Sequence, residues 1–311
     1  MLTSYLAADN ISPCPPGAAP DWIDVSDPSE AELAELAQAH QLPPWFLTDP
    51  LDPKERPRVD QDGLGLLIVA RLSFRDDQPA EPVFRTAPVG LIITPELVIT
   101  VCREPDLVRG HLSRFFQRRR PWSPARLAFA LLHAAGTGFI NNIERLEELA
   151  GEAEARLRLS PENEELLTLL NIEKALIDIT VAVKSNHGLM DKIFRQPDPL
   201  GLILTKEERE ILDDAMIENQ QAIFMAEIFG QTLASMSDAF GSLIANNLNR
   251  TMKLMAGLTI VLMLPTIISG LYGMNVNLPL AESQGAFWTM CGLCLGLMLA
   301  VSVLFARKKW F

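Results

Sequence analysis

The sequence is poor in cysteine, and the few cysteines lack the spacing that would give them a chemical role. Cys14, Cys102, Cys291 and Cys294 are the only four in 311 residues, which is too few and too scattered for a disulfide framework. Cys291 and Cys294 form a C-x-x-C, but they lie in an apolar run without the polar surroundings that activate a thiolate. We therefore expect them to serve packing.

The sequence also lacks a nucleotide-binding fingerprint and a catalytic constellation. It contains no G-x-x-x-x-G-K-[ST], and the short stretches Gly63–Gly65 and Gly136–Gly138 lack the remainder of such a motif. No nucleophile, base and orienting acid come together in a recognisable pattern. We expect neither an enzyme nor a nucleotide-driven pump, and no cofactor.

Positive charge is scarce in most of the chain. Residues 249–311 hold five basic side chains and one acid, which leaves 22 basic and 38 acidic side chains, a net charge of −16, for the first 248 residues. Nucleic-acid binding needs clustered Lys and Arg, and the one cluster in this part is Arg118–Arg120. The composition argues against a nucleic-acid partner and suits a surface that meets cations.

Two segments near the C-terminus lack charge entirely. Leu254–Leu271 and Ala286–Ala306 are each long enough to span a bilayer. Basic residues precede the first segment and follow the second, whereas the connection between them has none. The positive-inside rule therefore predicts a multi-pass protein of the cell membrane with both termini in the cytosol. The N-terminus shows no charged segment followed by an apolar run, so we expect no signal peptide.

The first part of the chain has a mixed α/β pattern. Residues 1–20 are rich in Pro, Gly and Ala and predict an irregular lead-in. A short strand and a helix capped by Ser26 or Asp27 should follow, and two further strands are predicted over Leu64–Leu72 and Val89–Val101.

From about Ser123 the pattern is helical. One helix is predicted from Pro124 to Leu159 and an antiparallel partner from Ser160-Pro161 to about Phe194. Thr205 and Glu208 then form a capping box, and nothing stops the helix that follows before Leu271. Such a helix would have about 67 residues and a length on the order of 100 Å, which predicts a stalk that enters the membrane.

These patterns together predict an α+β cytosolic domain followed by a long stalk helix and two C-terminal transmembrane helices. The expected divisions are an α/β domain, a helical hairpin, the stalk, the first span, an external loop, the second span and a basic tail, over residues 1–122, 123–204, 205–253, 254–271, 272–285, 286–306 and 307–311.

The first span carries a narrow, weakly polar stripe on an otherwise apolar helix. Its members follow at alternating steps of three and four residues, which places them on one helix face: Asn249, Met252, Ala256, Thr259, Met263, Thr266 and Gly270. A pore lining needs such a face, although small and hydroxylic residues also mediate ordinary helix packing. In the second span, Gly292, Gly296 and Ala300 form a small-residue ridge that we expect to pack against the first span.

The segment Tyr272-Gly273-Met274-Asn275 between the two spans, together with the terminal RKKWF, resembles the signature of the CorA-type divalent-cation channels. The resemblance extends to WIDVSDPSEAEL near the N-terminus and to the long helix. It implies a funnel-shaped homopentamer in the lipid bilayer, in which five long helices line the pore and the second spans form an outer ring. The transported ion would be a divalent cation, with Mg²⁺ the principal candidate and Co²⁺ or Ni²⁺ possible substrates.

The same resemblance implies roles for individual residues. Gly273, Met274 and Asn275 would form the external selectivity filter, and Glu282 in the same loop would attract cations. Gly273 and Asn275 also suit a helix C-cap, because both tolerate positive φ. Further matches along the first span are the inner amide Asn249, the hydrophobic constriction Met252, Met255 and Met263, and Gly270. Pro265 stands one position later than in some relatives.

Acidic residues of the long helix match the family's regulatory metal site. Asp214 matches the sensor position, with Asp213 beside it and Asp238 nearer the membrane, and bound Mg²⁺ would hold a closed state. The alternative is that these acids only solvate a long helix.

Two other functions remain open. A zinc transporter of the ZntB branch would share fold and topology. Against it, this chain keeps Met274 where that branch commonly departs from the signature, and none of the four histidines lies on the stripe. A membrane-anchored interaction protein would carry no ions and would not require the polar stripe.

Overall fold

The structure is a computed structural model. It describes residues 2–6, 12–15, 19–63, 65–75, 83–95, 97–113, 123–159, 163–197, 200–274 and 285–308. The chain divides into two compact units, Met1–Ala234 and Ser235–Phe311.

A seven-stranded mixed sheet forms the centre of the first unit. Its strands are β1 (Leu2–Leu6), β2 (Ser12–Pro13), β3 (Trp22–Ser26), β4 (Arg58–Asp62), β5 (Gly65–Arg75), β6 (Phe84–Ile93) and β7 (Val98–Cys102). The order across the sheet is β2-β1-β3-β7-β6-β5-β4, and β3 and β7 run parallel whereas the other neighbours are antiparallel. The central strands are buried along nearly their whole length, which is the pattern of a sheet covered on both faces.

Helices supply those two covers. Helices α1 (Glu30–Ala39) and α2 (Pro44–Thr48), with a 3₁₀ turn at Asp49–Leu51, share one apolar core with alternate residues of β3, β5, β6 and β7. Helices α3 (Leu107–Leu112), α4 (Pro124–Leu159) and α5 (Asn163–Arg195) follow, and α4 and α5 contact β5 and β6. The last two helices are α6 (Lys206–Tyr272) and α7 (Ala286–Arg307).

The predicted helices agree with the structure better than the predicted strands do. Helix α4 has the predicted bounds, and α6 continues without interruption for 67 residues, as the lack of any stop signal indicated. The second part of α6 and residues Phe287–Arg307 of α7 are both long and apolar enough to cross a membrane.

The prediction for the first 40 residues was wrong in two respects. The expected irregular lead-in contains β1 and β2, and β1 pairs with β3. The cap of α1 is Ser29, and neither Ser26 nor Asp27 serves. Ser29 forms a complete capping box with Glu32, in which the Ser29 backbone N–H donates to the Glu32 carboxylate at 2.8 Å. A reciprocal pair satisfies two backbone N–H groups, which neither earlier residue could do from its position in or beside β3.

The predicted strand Val89–Val101 was also wrong, because it contains the end of β6, a tight turn and β7. Thr94 closes the turn: its backbone N–H donates to the carbonyl of Leu97 at 2.9 Å, and its hydroxyl accepts from the Leu97 N–H at 3.0 Å. The apolar run hid the turn, since both strands are buried on both faces. Pro88 is tolerated within β6 because pairing with β7 begins only at Val89.

Helix α5 is fixed to the sheet where the neighbouring strands stop. The Asn186 amide accepts from the Arg71 N–H at 2.9 Å and donates to the Arg71 carbonyl at 2.8 Å, beyond the last β4 pairing at Val69. Two turns earlier, the Asp178 carboxylate accepts from the Thr86 N–H at 2.7 Å. These side chains satisfy β5 and β6 groups that would otherwise be left unpaired by the ends of the adjacent strands.

Gly90 of β6 should not tolerate a side chain. A Cβ there would lie 2.4 Å from Cγ of Pro50, and a proline ring cannot rotate away. We expect Gly90→Ala to destabilise the sheet-containing unit by about 1–3 kcal/mol, the usual range for overpacking a filled core. Thermal unfolding of the full-length protein followed by circular dichroism measures this change. Gly151→Ala is the control, because nothing lies within 4 Å of its added Cβ and its helix should be unchanged or slightly stabilised. Equal melting curves for Gly90→Ala and the parent protein would contradict the expectation.

Candidate functional site

The long helix α6 carries most of the predicted site residues, and its first turn is tied to the start of α4. Glu208 completes the predicted capping box: the Thr205 N–H donates to its carboxylate at 2.8 Å, and its own N–H donates to the Thr205 hydroxyl at 3.3 Å. The Ser123 hydroxyl donates to the same carboxylate and also caps α4, since it accepts from the Arg126 N–H at 3.1 Å. One buried carboxylate therefore joins two helix N-termini, where negative charge is favoured.

This environment lowers the pKa of Glu208. Burial raises the pKa, but the hydrogen bonds from Ser123 and Thr205 and the positive charge of Arg126 outweigh that effect, so the pKa lies below its ordinary value of 4.5. Glu208 is therefore a carboxylate at neutral pH.

Further along, α6 packs closely against α4 and α5. The amide of Asn219, which is fully buried, donates to the Val183 carbonyl of α5 at 2.8 Å. A Cβ added to Gly136 of α4 would lie 3.3 Å from the Asn219 nitrogen, so this glycine permits the close approach of the two helices. Lys184 and Glu227 form an ion pair at 2.7 Å between α5 and α6. The orientation of α6 in the first unit is thus set by specific contacts.

The predicted regulatory acids lie on the exposed side of α6. Asp213, Asp214 and Asp238 are all solvent-accessible, and the first two are adjacent in sequence. Among the described residues, no group of three or more His, Cys, Asp and Glu side chains is arranged to hold a metal ion. The predicted metal role of these acids therefore stays a prediction that would require groups from another subunit.

An apolar stripe shares this exposed side of α6, and the sequence reasoning missed it. Ile217, Phe224 and Ile228 are exposed by 60%, 61% and 48%. Their spacing of seven and four residues puts them on one helix face. The signal was present in the sequence as large apolar side chains at helical spacing beyond those needed for the buried face.

In the second unit, α6 has one face that is less exposed than the rest. Its buried or half-buried positions recur at steps of three and four: Gly257, Val261, Leu264, Pro265, Ile268 and Tyr272. Helix α7 shows a matching half-buried row: Met290, Cys291, Cys294, Met298, Val301, Ser302 and Phe305. We infer that these two rows, the α6 seam and the α7 seam, pack together, since such spacing is typical of helix pairs.

The predicted pore stripe lies on the other side of α6. Every member, from Asn249 to Gly270, is exposed. At about 100° per residue, the mean direction of the stripe is roughly 160° from that of the α6 seam. Exposure is common on this helix, so the opposition of the two faces is the informative observation. The stripe therefore does not coincide with the α6 seam, and its role in lining a pore stays a prediction.

The predicted packing of the small-residue ridge of α7 against the first span was wrong. Gly292, Gly296 and Ala300 are exposed, and a Cβ added to either glycine would meet nothing within 4 Å. The ridge lies roughly 180° from the α7 seam. Larger side chains, with Cys291 and Cys294 among them, make up the half-buried α7 seam, and the packing role expected for these cysteines stays a prediction.

The signature segment is described only in part. Tyr272 ends α6, and the Gly273 N–H donates to the Ser269 carbonyl at 2.9 Å. Gly273 does not take the expected C-cap role, because its φ is not positive. A Cβ there would lie 3.2 Å from the Ser269 oxygen, so close backbone approach is its structural reason. Met274 is 56% exposed, and Asn275 and Glu282 lie outside the described residues.

Comparison with known proteins bears on the whole chain. A family model described as CorA-like Mg²⁺ transporter protein matches residues 17–308. The cobalt/magnesium transport protein CorA of Methanocaldococcus jannaschii is 27% identical over 303 residues, which cover 93% of this chain and 90% of that protein. The protein of the same description from Thermotoga maritima is 20% identical over 310 residues, which cover 97% and 86%.

A solved structure shows the same fold over the full length. The complete structure of the CorA magnesium transporter from Methanocaldococcus jannaschii matches with a TM-score of 0.83 and 24% identity, covering 100% of this chain and 99% of that one. This likeness confirms the predicted architecture of an α+β domain, a long helix and a C-terminal helix.

The charge of Glu208 should contribute to stability in a pH-dependent manner. We expect Glu208→Gln to lower the free energy of unfolding by about 1–2 kcal/mol at neutral pH, because the hydrogen bonds to a carboxylate are stronger than those to an amide. A pKa that is lower in the folded protein stabilises it above the unfolded value of 4.5, and this contribution disappears as the pH falls through the folded value. The gap between parent and variant should therefore narrow on acidification below about pH 4.5.

Thermal unfolding of the full-length protein across this pH range measures the gap. Glu210→Gln, an exposed acid on the same helix, is the control and should behave like the parent protein. A gap that stayed constant on acidification would show that the carboxylate charge is not responsible.

Proposed function

The chain belongs to the CorA-like Mg²⁺ transporter family, and we propose that it is a homopentameric channel for gradient-driven uptake of divalent cations, chiefly Mg²⁺. The observation that carries the proposal is the opposition of the two faces of α6. A helix that meets α7 on one side and presents a weakly polar stripe on the other is what an inner ring of pore helices with an outer ring of second spans requires. The names of the relatives, which include cobalt and magnesium transport, support the choice of ion.

Five copies supply what one hairpin lacks, because two spans cannot enclose a conduit. The exposed apolar row Ile217, Phe224 and Ile228 supports contacts between copies in the cytosol, since soluble surfaces seldom leave such a row uncovered. The basic residues that flank the spans, among them Arg250 and Arg307, favour cytosolic termini. An interior-negative potential then drives entry, at about 2.3 kcal/mol per charge for each 100 mV.

Selection would occur at a ring of Asn275 side chains at the external mouth. Mg²⁺ gives up its waters reluctantly, so a filter for this ion can recognise the hydrated form. Neutral amides hydrogen-bond those waters without holding the ion so tightly that it stalls. Gly273 and Met274 precede this ring, and Glu282 in the same connection would raise the local cation concentration.

Flux into liposomes tests the filter. We expect the full-length protein to raise internal Mg²⁺, reported by a trapped fluorescent indicator, under an imposed inside-negative potential. Asn275→Ala should slow the initial rate by roughly tenfold or more, since the loss of one ring of water contacts adds a barrier of this order. Asn277→Ala, which removes the same amide two residues later, should keep the parent rate. Normal Mg²⁺ flux through Asn275→Ala would refute the filter.

The same liposomes address the zinc alternative. The external connection offers no His or Cys, which are the ligands that zinc prefers. We therefore expect faster entry of Mg²⁺ than of Zn²⁺, and the reverse order would favour the zinc transporter. Absence of any flux would favour a membrane-anchored interaction protein.

Gating by cytosolic Mg²⁺ would use the exposed acids of α6. Asp213 and Asp214 lie on the exposed side that also carries the apolar row, so contacts between copies would bring these acids towards carboxylates of a neighbour. An ion bound there would neutralise the like charges and hold a closed assembly, and its loss would release that state. Asp238, which is nearer the membrane, would be a second contact point.

Currents from inside-out patches test this role, because the cytosolic face is then perfused directly. In the parent protein the current should fall as Mg²⁺ in the perfusing solution rises to millimolar levels. The double variant Asp213→Ala, Asp214→Ala should stay open under the same conditions. The double variant Glu144→Ala, Glu147→Ala removes the same charge from exposed positions on α4 and should close normally. Normal closure of the Asp213, Asp214 variant would remove these residues from the gating mechanism.

A further inference from the structure

The serine and threonine side chains near the end of α6 all point their hydroxyl hydrogen atoms at their own helix. Thr251, Thr259, Thr266 and Ser269 are the four Ser and Thr residues from Arg250 to Tyr272. Each donates to a backbone carbonyl three or four residues earlier, and the bond from Thr259 to the Met255 carbonyl is 2.8 Å long. A hydroxyl that has donated its only hydrogen can offer other partners just its lone pairs.

Thr259 combines this orientation with an unusual position. It lies on the exposed stripe opposite the α6 seam, four residues from Met255 and four from Met263. Those steps correspond to about 6 Å in each direction along the helix. The thioethers on either side are weak acceptors, and Ala256 has no polar atom in its side chain. Thr259 is therefore the strong oxygen acceptor within this methionine-rich part of the stripe.

We propose that Thr259 forms a ring of acceptor-only oxygens that holds a hydrated divalent cation inside the methionine constriction. This inference rests on the proposed channel function and assigns a cation-binding site within the pore. Waters around Mg²⁺ turn their hydrogens outward, so a lining must accept hydrogen bonds to stabilise the hydrated ion. Without the ring, an ion would cross about 12 Å of thioether and methyl groups, where a hydrophobic constriction tends to lose its water.

Two variants of Thr259 separate the hydroxyl from the shape of the side chain. Thr259→Val keeps the branched shape and removes the oxygen, whereas Thr259→Ser keeps the oxygen and its ability to donate to the Met255 carbonyl. The matched control is Thr251→Val, because Thr251 makes the same kind of backbone bond, at 3.0 Å to Asn247, but lies off the stripe by roughly a quarter turn. The measurement is the initial rate of Mg²⁺ entry into liposomes, with Asn275→Ala and the parent protein in the same series.

We expect Thr259→Val to slow Mg²⁺ entry by roughly tenfold, while Thr259→Ser and Thr251→Val keep rates near that of the parent. Size-exclusion elution at the parent volume confirms that each variant assembles. A normal rate in Thr259→Val, together with impaired entry in Asn275→Ala, overturns the proposed binding site at Thr259 and leaves the channel function standing. Equal losses in Thr259→Val and Thr251→Val also overturn it, because the effect would then come from a lost backbone bond. Absence of flux through the parent protein overturns the channel function and, with it, the proposed binding site at Thr259.

Discussion

A backbone that crosses a bilayer must satisfy its hydrogen bonds within itself, and α6 runs as one continuous helix of 67 residues. That requirement explains why the four Ser and Thr residues near its end bond to their own helix instead of reaching elsewhere. It also explains the position of Pro265, the proline inside this helix. A proline withholds one N–H from the carbonyl four residues earlier, here that of Val261. Both residues belong to the α6 seam, so the weakened turn lies on the side that faces protein and away from the exposed stripe.

The first unit meets the same requirement with polar side chains placed where regular pairing ends. Asn186 takes over beyond the end of β4, and Glu208 serves the first turns of two helices at once. Asn219 adds a directed contact in an apolar interface between α5 and α6. Apolar surfaces can slide with small loss of free energy, whereas a buried amide or carboxylate that moves leaves an unsatisfied partner. A few hydrogen bonds therefore specify the position of α5 on the sheet and of the long helix against α4 and α5, and Gly136 permits the approach of α4 and α6.

Sequence reasoning succeeded where the physical signal is local and failed where it depends on a partner. The capping box of Thr205 and Glu208 and the uninterrupted α6 follow from neighbouring residues alone, so both were predictable. The hairpin inside Val89–Val101 was not, because strands buried on both faces show no alternation and the turn needs only the four residues 94–97 between them. The small-residue ridge of α7 predicted a contact with the first span, but the half-buried side of α7 is the opposite one. Helical spacing shows which residues share a face, and it does not show which element packs against that face. The polar stripe of α6 was predictable as a face, whereas its relation to α7 required coordinates.

The direction of the hydroxyl dipoles also bears on how a neutral conduit could distinguish the sign of an ion. Between Lys253 and Arg307 the described residues carry no charged side chain, so in a pore lined by α6 no fixed charge within the membrane would repel an anion. Free hydroxyls would serve either sign, because each can donate to an anion or accept from the water around a cation. Once the hydrogen of Thr259 is bound to the Met255 carbonyl, only the second option remains. The helix backbone itself would then convert an ambivalent side chain into a cation-selective one, without the tight binding that a ring of carboxylates would impose on a divalent ion.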